Sequence, residues 1–242
     1  MKFQLSSIKN RFKSMAAEII KKIVIVHRLD YDKFPVYLHD NIRLASCRKE
    51  PGTIKWIEGF KKTDVVFDIG ANVGAYSLIM AHYAQKVFAV EPSVFTFGTL
   101  IKNIHTNKAS NIIPLNIALS QKSELLNFAY SSVELGSSSH GLEGTVLNEA
   151  FKQSILAFSL DNLVDEFNIG VVHHVKLDVD GIEFEILKGA RKVLGNPGFK
   201  SLSVEVNCPD QKELVDYLEG LGLRKISEST SGGAALNYLF IK

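Results

Sequence analysis

Cysteine is scarce in this chain, which contains only Cys47 and Cys208 among its 242 residues. The two cysteines are far apart, and neither belongs to a Cys-x-x-Cys pair or to a cluster of Cys and His residues. This spacing excludes a disulfide framework and gives no support for a zinc site. We therefore expect a protein that works in a reducing, cytoplasmic compartment.

Long hydrophobic runs are also missing. The sustained apolar run at residues 19–26 is split by Lys21 and Lys22, is too short to span a bilayer, and lacks a small-residue cleavage site. Residues 1–28 contain seven Lys or Arg residues and one acidic residue, Glu18. Such a segment could lie on an anionic membrane surface. We favour a helix that packs on the domain or on a second subunit, as in a homo-oligomer, with its lysines in solvent.

The chain carries little excess charge, with a formal net charge of +2. It has no basic block interleaved with aromatic residues, so we expect a small-molecule partner and no nucleic acid. With 46% hydrophobic residues, the chain is long enough for one good-sized globular domain and a small extension. We place the extension at residues 1–60 and the main domain at residues 61–242.

A glycine-containing turn follows an apolar run near the start of the main domain. Residues 65–69 have strand composition, Gly70-Ala71-Asn72-Val73-Gly74 forms the turn, and a helical pattern follows. A strand, a tight turn and a helix N-terminus in this order place a nucleotide at the carboxyl end of a parallel strand. The turn has neither the G-x-G-x-x-G pattern of dinucleotide-binding proteins nor the Lys-Ser/Thr of a P-loop. A diphosphate is therefore the less favoured ligand.

An acidic residue ends the next predicted strand. Residues 86–90 are mostly apolar and are followed by Glu91, 21 residues after Gly70. A carboxylate at this position can accept hydrogen bonds from both hydroxyls of an adenosine ribose. Asp68, at the tip of the first strand, could attract the ammonium group of a ligand. A ribose and a cationic amino-acid tail together indicate S-adenosylmethionine as the cofactor.

Three segments resemble one known family. They are residues 68–77 (DIGANVGAYS), residues 91–93 (EPS) and residues 176–190, which contain KLDVDGIE and LKGA. In this order they look like the FkbM family of S-adenosylmethionine-dependent methyltransferases. One departure is Asp180, which stands where the family usually has Glu. The resemblance implies a class I methyltransferase fold, and it places the extension on the substrate side of the cleft.

Alternating strand and helix patterns predict an α/β, Rossmann-like fold. We expect a seven-stranded, mostly parallel sheet with helices on both faces and an antiparallel last strand. Pro114 is expected to place the third strand at a sheet edge. The predicted strands are 64–68, 86–90, 112–118, 173–178, 201–207, 223–228 and 236–241, and the main helices are 74–84, 94–107, 183–193 and 210–221.

Three further segments lie outside this regular plan. An extra strand is expected at residues 124–130. It is followed by a Gly- and Ser-rich loop at residues 131–147, which could be a lid over the substrate or a surface insertion. In the extension, Asp40-Asn41 predicts a tight hairpin between residues 36–39 and 42–45.

The expected site residues fall into three groups. Asp178, at the tip of the fourth core strand, is the predicted catalytic residue, and His140 in the loop is a candidate general base. Asp178 could also bind Mg²⁺ together with Glu205 and Asn207 at the end of the neighbouring strand. The candidate cofactor-binding residues are Asp68, Gly70, Asn72, Gly74, Tyr76, Glu91, Ser93 and Ala118.

These features predict methyl transfer from S-adenosylmethionine to an oxygen nucleophile. The resemblance implies that the acceptor is a hydroxyl of a carbohydrate or of a secondary metabolite. Two alternatives remain. An NAD-dependent oxidoreductase would use the same ribose carboxylate but should carry G-x-G-x-x-G. A non-catalytic S-adenosylmethionine-binding or interaction module would keep Gly70, Gly74 and Glu91 and show no turnover.

Overall fold

The computed structural model describes residues 25–41, 43–130, 140–142, 151–206, 211–230 and 236–242, with only the backbone at 140–142. Most of the basic segment 1–28 and of the predicted loop 131–147 lies outside the described residues, as does Asn207. Among the helices of these described ranges, none is both long enough and apolar enough to span a bilayer.

The described residues form strands and helices in alternation. The strands are β1 (His27–Arg28), β2 (Tyr37–Leu38), β3 (Val65–Ile69), β4 (Lys86–Val90), β5 (Ile112–Leu115), β6 (Ala118–Leu119), β7 (Glu124–Tyr130), β8 (His140–Leu142), β9 (Phe151–Phe158), β10 (His174–Leu177), β11 (Ser201–Val206), β12 (Arg224–Thr230) and β13 (Leu236–Ile241). The helices are α1 (Ser46–Lys49), α2 (Pro51–Ile57), α3 (Ala75–Tyr83), α4 (Val94–Thr106), α5 (Leu160–Glu166), α6 (Glu183–Lys188), α7 (Arg191–Gly195) and α8 (Gln211–Gly220).

A seven-stranded sheet lies at the centre of the fold, with the order β12-β13-β11-β10-β3-β4-β5. The five strands from β11 to β5 are parallel, and β13 runs antiparallel to both of its neighbours. β5 is the outer strand, as its proline predicts. The predicted mostly parallel sheet with an antiparallel last strand is confirmed.

Helices cover both faces of this sheet, because the buried strands present apolar residues in both directions. On one face, Val175 and Leu177 of β10 belong to a core cluster that includes residues of α5 to α8. On the other face, Val66 of β3 packs in a second cluster with residues of α2, α3 and α4. Alternation along β10 therefore sends Lys176 away from the first cluster and toward the face that carries α2 and α3.

The predicted strand at residues 112–118 is two strands in the structure. β5 ends at Leu115, and β6 pairs with β9 in a second, four-stranded sheet of order β6-β9-β7-β8. Asn116 lies at the break, and its side-chain amide donates to the carbonyl oxygens of Glu91 at 2.8 Å and Pro92 at 3.0 Å. These two bonds tie the chain to the end of β4, which redirects it out of the main sheet.

The rest of the second sheet was only partly predicted. β7 coincides with the extra strand expected at 124–130, whereas β8 lies inside the segment predicted as a loop. β9 has no counterpart in the sequence analysis. Leu156 of β9 is 58% exposed beside buried Ile155 and Ala157. The resulting unbroken apolar run hides the alternation that normally identifies a half-buried strand.

The hairpin predicted around Asp40-Asn41 is wrong. β2 pairs instead with β1, and residues 43–45 lead into α1. Asp30 stabilises this alternative, because its carboxylate accepts hydrogen bonds from the backbone N–H groups of Cys47 and Arg48, each at 3.0 Å. These donors lie in the first turn of a helix, where they have no partner within the helix. The extension thus folds back to place α1 and α2 against the main domain.

The helix predicted at residues 183–193 is interrupted at Gly189. A Cβ atom on Gly189 would overlap the carbonyl oxygen of Ser120, so the chain passes too close for a side chain. Asp161 then accepts hydrogen bonds from the backbone N–H groups of Lys192 at 2.8 Å and Val193 at 2.9 Å. A second helix N-terminus therefore forms at α7 in place of a continuous helix.

A buried polar network lies at the amino ends of the core strands. Trp56 Nε1 donates to Ser201 Oγ (2.7 Å), Ser201 Oγ contacts His174 Nδ1 (2.7 Å), and His174 Nε2 lies 3.0 Å from Asp64 Oδ2. A carboxylate can only accept, so the N–H at Nε2 donates to Asp64, and the Ser201 hydroxyl, which accepts from Trp56, still has its own hydrogen to donate to Nδ1. This pattern accommodates a neutral His174 with its proton on Nε2. Burial lowers the pKa of His174 to about 4 despite the neighbouring carboxylate.

We expect His174→Gln to reduce the loss of stability at mildly acidic pH. The unfolded chain protonates this histidine below its ordinary pKa of 6.5, whereas the folded chain does so only near pH 4. The contribution of the neutral histidine to the free energy of unfolding is therefore fully present above pH 6.5. It falls by about 3 kcal/mol as the pH drops toward 4. Urea unfolding at pH 7, 5.5 and 4.5 measures the slope. His105→Gln, at an exposed position on α4, is the control. If stability fell with pH as steeply in His174→Gln as in wild type, the assignment of a neutral, buried His174 would be contradicted.

Candidate active site

A cavity of about 430 Å³ opens at the carboxyl ends of the core strands. Its walls come from the turn after β3, the end of β4, the chain after β10, α1 of the extension, and residues of β6 and β7. Ligands of open α/β sheets bind in a crevice at this end of the strands. The volume lies within the range of small-molecule sites, about 300–1,000 Å³.

The turn after β3 brings the backbone close to the opposite wall. Gly70 has a φ of +78°. A Cβ atom on Gly70 would overlap the carbonyl oxygen of Asp178. The N–H groups of Gly70 and Ala71 both donate to the carbonyl oxygen of Val90, each at 3.0 Å. The turn is therefore hydrogen-bonded to the end of β4 and packed closely against the chain after β10. Only glycine fits its first position.

Glu91 is held in a fixed orientation at the end of β4. Its Oε2 accepts a hydrogen bond from the backbone N–H of Asn72, and its Oε1 accepts one from the backbone N–H of Ser93, both at 2.9 Å. The residue is only 3% exposed, yet it lines the cavity. Each carboxylate oxygen can accept more than one hydrogen bond, so both can also serve a ligand.

Asp68 lies beneath the cavity and does not line it. The residue is 1% exposed, its Oδ2 accepts a hydrogen bond from the Ser77 hydroxyl, and its Oδ1 is buried with no hydrogen-bond partner among the described residues. Burial raises the pKa of Asp68, while the ammonium group of Lys176 and the bond from Ser77 oppose this shift. The cation that the structure brings to Asp68 thus comes from the protein itself.

Lys176 is a buried cation between the cavity and the core. It is 3% exposed, and its Nζ donates to Asp178 Oδ2 at 2.5 Å and lies 4.7 Å from the centre of the Tyr76 ring. Burial by itself would lower the pKa of Lys176. The carboxylates of Asp178, Glu50 and Asp68 outweigh this effect and raise the pKa, so the side chain stays charged.

Three carboxylates meet at the cavity wall next to Lys176. Glu50, Asp178 and Glu205 each offer an oxygen, and these oxygens lie within 4.8 Å of one another. All three residues are half-buried, and Glu50 Oε2 also accepts a hydrogen bond from the Thr53 hydroxyl at 3.0 Å. Carboxylates this close repel one another unless positive charge or hydrogen-bond donors offset the repulsion. The cluster can therefore bind a cation or the hydroxyl groups of a substrate.

The structure brings most of the predicted site residues to this cavity. Those that line it are Gly70, Asn72, Tyr76, Glu91, Ala118, Asp178 and Glu205. Gly74 and Ser93 instead shape the helices behind it. Gly74, with a φ of +88°, precedes α3, and the Ser93 hydroxyl accepts a hydrogen bond from the Thr96 N–H at the start of α4. The side chain of His140 and all of Asn207 lie outside the described residues.

Several residues of the site were not predicted from the sequence. Glu50 comes from the extension and reaches the cluster only because α1 and α2 fold against the main domain. Lys176 stands in the K-x-D segment of the family pattern. Residues two apart in a strand share a face, so this spacing could have placed Lys176 beside Asp178. Phe128 of β7 lines the cavity as well. Its role could not be predicted without the second sheet.

Comparison with solved structures defines the class of protein. The chain resembles the FkbM methyltransferase of Methylobacillus flagellatus KT, with a TM-score of 0.57 and 17% identity over 76% of this chain and 44% of that one. It also resembles Trm5b of Pyrococcus abyssi, with a TM-score of 0.52 and 16% identity over 91% of this chain and 56% of that one. The chain thus spans only about half of each structure. At these identities the likeness shows the fold, which is that of a class I methyltransferase.

Sequence comparison defines the family. The family model described as the methyltransferase FkbM domain matches residues 68–225. The hexuronic acid methyltransferase AglP of Haloferax volcanii is 30% identical over 178 residues, which are 73% of this chain and 70% of that protein. The chain belongs to the FkbM methyltransferase family and is a methyltransferase. The predicted resemblance is confirmed.

We expect Gly70→Ala to destabilise the protein. The added Cβ atom would overlap the Asp178 carbonyl, and alanine disfavours the positive φ, so the free energy of unfolding should fall by at least about 2 kcal/mol. Urea unfolding measures the change. Gly98→Ala is the matched control, because Gly98 lies within α4 and a Cβ atom added there would have nothing within 4 Å. Equal stability of the two variants would contradict the close approach at Gly70.

Proposed function

We propose that this methyltransferase transfers a methyl group from S-adenosylmethionine to a hydroxyl oxygen of a sugar or a secondary metabolite. One observation carries the proposal. A single cavity joins a fixed carboxylate at the end of β4, Glu91, to a cluster of carboxylates around Asp178 at the end of β10. The first group suits the ribose of the donor, and the second suits a polyhydroxylated acceptor.

The cavity offers suitable groups for each part of the donor. Glu91 can accept hydrogen bonds from the two ribose hydroxyls, since both of its oxygens are already oriented by backbone donors. The bare backbone at Gly70 leaves room for close approach of the amino-acid tail. Ala118 and Phe128 provide apolar surface on the side of the second sheet, where we place the adenine. When bound, S-adenosylmethionine supplies the electrophilic methyl group.

Asp178 is the residue that we assign to the acceptor hydroxyl. Its Oδ2 is fixed by Lys176 at 2.5 Å, and we propose that its other oxygen accepts the hydroxyl proton as the acceptor oxygen bonds to the methyl carbon. Methyl transfer needs the attacking oxygen in line with the carbon–sulfur bond that breaks. Orientation by Asp178, Glu50 and Glu205 would therefore supply much of the rate.

Mg²⁺ is a second candidate occupant of the carboxylate cluster. Glu50, Asp178 and Glu205 provide the oxygen ligands that this ion prefers, and a bound cation would favour the alkoxide form of the acceptor. Glu50 thus joins two of the three residues proposed from the sequence, Asp178 and Glu205, while the third, Asn207, lies outside the described residues. Lys176 already supplies a positive charge to Asp178, so the arrangement can also work without a metal ion.

The choice of a sugar as acceptor has support from a relative. AglP of Haloferax volcanii is named a hexuronic acid methyltransferase, and it is 30% identical to this chain. Carboxylates commonly accept hydrogen bonds from hydroxyl groups, and three of them converge here. A sugar, with several adjacent hydroxyls, can use more than one of these acceptors at once.

We expect Glu91→Ala to weaken binding of S-adenosylmethionine at least about tenfold, because a pair of charge-assisted hydrogen bonds is lost. Isothermal titration calorimetry measures the change. Glu91→Gln keeps the shape of the side chain and separates loss of charge from disorder in the turn. Glu185→Ala, at an exposed position on α6, is the control. Unchanged affinity in both Glu91 variants would remove the residue from the ribose site.

Asp178→Asn should abolish turnover while donor affinity stays within about threefold of wild type, because the amide keeps the shape of the side chain but cannot take a proton. Radiolabelled methyl transfer to a panel of sugars measures turnover, and calorimetry measures donor binding. Wild-type assays in EDTA and in Mg²⁺ separate the two proposed roles of the cluster. Turnover retained by Asp178→Asn would remove this residue from the chemistry.

A further inference from the structure

Two cations of the extension line the same cavity as the carboxylate cluster. They are Arg43, just before α1, and Lys49, the last residue of α1. Arg43 is half-buried, and its Nε is enclosed with no hydrogen-bond partner among the described residues. The backbone N–H of Arg43, by contrast, donates a hydrogen bond to Asp40 Oδ1 at 3.3 Å. Lys49 is exposed at the cavity and forms no ion pair within the described part of the chain.

Not every cation of α1 lines the cavity. Arg48 points elsewhere, and its Nε pairs with Asp30 Oδ2 at 3.2 Å. The backbone around Arg43 is fixed to the wall of the cavity, because the Ser46 hydroxyl donates to the Arg43 carbonyl oxygen at 2.8 Å and the Tyr76 hydroxyl donates to the Ser46 carbonyl oxygen at 3.1 Å. The guanidinium group is thus presented by an ordered segment.

An enclosed guanidinium N–H without an acceptor is unfavourable, since a buried charged donor gains stability only when it is paired. The planar fork of an arginine matches a carboxylate or a phosphate group in two-point contact, and a nearby lysine adds a second positive charge. The missing acceptor is therefore most simply an anionic group of a ligand in the cavity.

We propose that Arg43 and Lys49 bind an anionic group of the acceptor, which makes the acceptor an acidic sugar that carries a carboxylate or a phosphate. This inference rests on the proposed function. Both cations belong to the extension, before the region that the family model matches at residues 68–225, and they are close in sequence to Glu50 of the carboxylate cluster. The groups assigned to the donor, by contrast, lie on the core turn and at the end of β4.

The carboxylate of S-adenosylmethionine is the competing anion, so the test separates the two ligands. Calorimetry on the full chain saturated with S-adenosylhomocysteine would compare glucuronate, glucose 6-phosphate and glucose. We expect at least one acidic sugar to bind about tenfold more tightly than glucose. Arg43→Gln should remove that preference, and Arg48→Gln, which loses the same charge outside the cavity, should keep it.

The same variants are titrated with S-adenosylmethionine. Affinity unchanged by Arg43→Gln supports an acceptor site, whereas a tenfold loss assigns Arg43 to the donor and overturns the inference. Glucose binding as tightly as both acidic sugars, or no binding by either acidic sugar, also overturns it. Failure of the proposed donor site has a different signature, because wild-type protein would then bind no S-adenosylmethionine at all.

Discussion

The charge of Lys176 holds together a site that would otherwise be crowded with carboxylates. Its ammonium group is buried, bonds to Asp178, and interacts electrostatically with Glu50 and Asp68. These acids come from the strand tip of β3, the chain after β10 and the extension, so the three parts of the molecule meet around one cation. Without it, burial and mutual repulsion would disfavour the ionised acids. The carboxylate cluster that faces the cavity depends on this interaction.

The core of the fold and the cavity wall formed by Gly70 and Glu91 could be predicted from the sequence, because local rules determine them. Strand composition, a positive-φ glycine turn at Gly70 and a carboxylate after the second strand occur within a short stretch of chain, and their arrangement follows from parallel pairing. Alternation along β10 places Lys176 and Asp178 on one face of the sheet, although Lys176 was not predicted as a site residue. The closing antiparallel strand at residues 236–241 was also predicted.

The cavity wall formed by the extension and the second sheet could not be predicted in the same way, because it depends on contacts between distant segments. Glu50 and Arg43 reach the cavity only after Asp30 has organised α1 and the extension has folded back onto the main domain. The second sheet was not predicted for two reasons. Asn116 ends β5 through hydrogen bonds to the carbonyl groups just after β4, and the exposed Leu156 hides the alternation of β9. For the extension and for β5, a side chain far along the sequence overrides a local pattern.

Calorimetric titration of the full chain with S-adenosylmethionine, and separately with NAD, tests the central claim most directly, which is that this cavity holds a methyl donor through Glu91 and the turn at Gly70. The account predicts binding of S-adenosylmethionine with a dissociation constant in the micromolar range, and no binding of NAD. Binding of NAD in its place, or of neither ligand, would contradict the account.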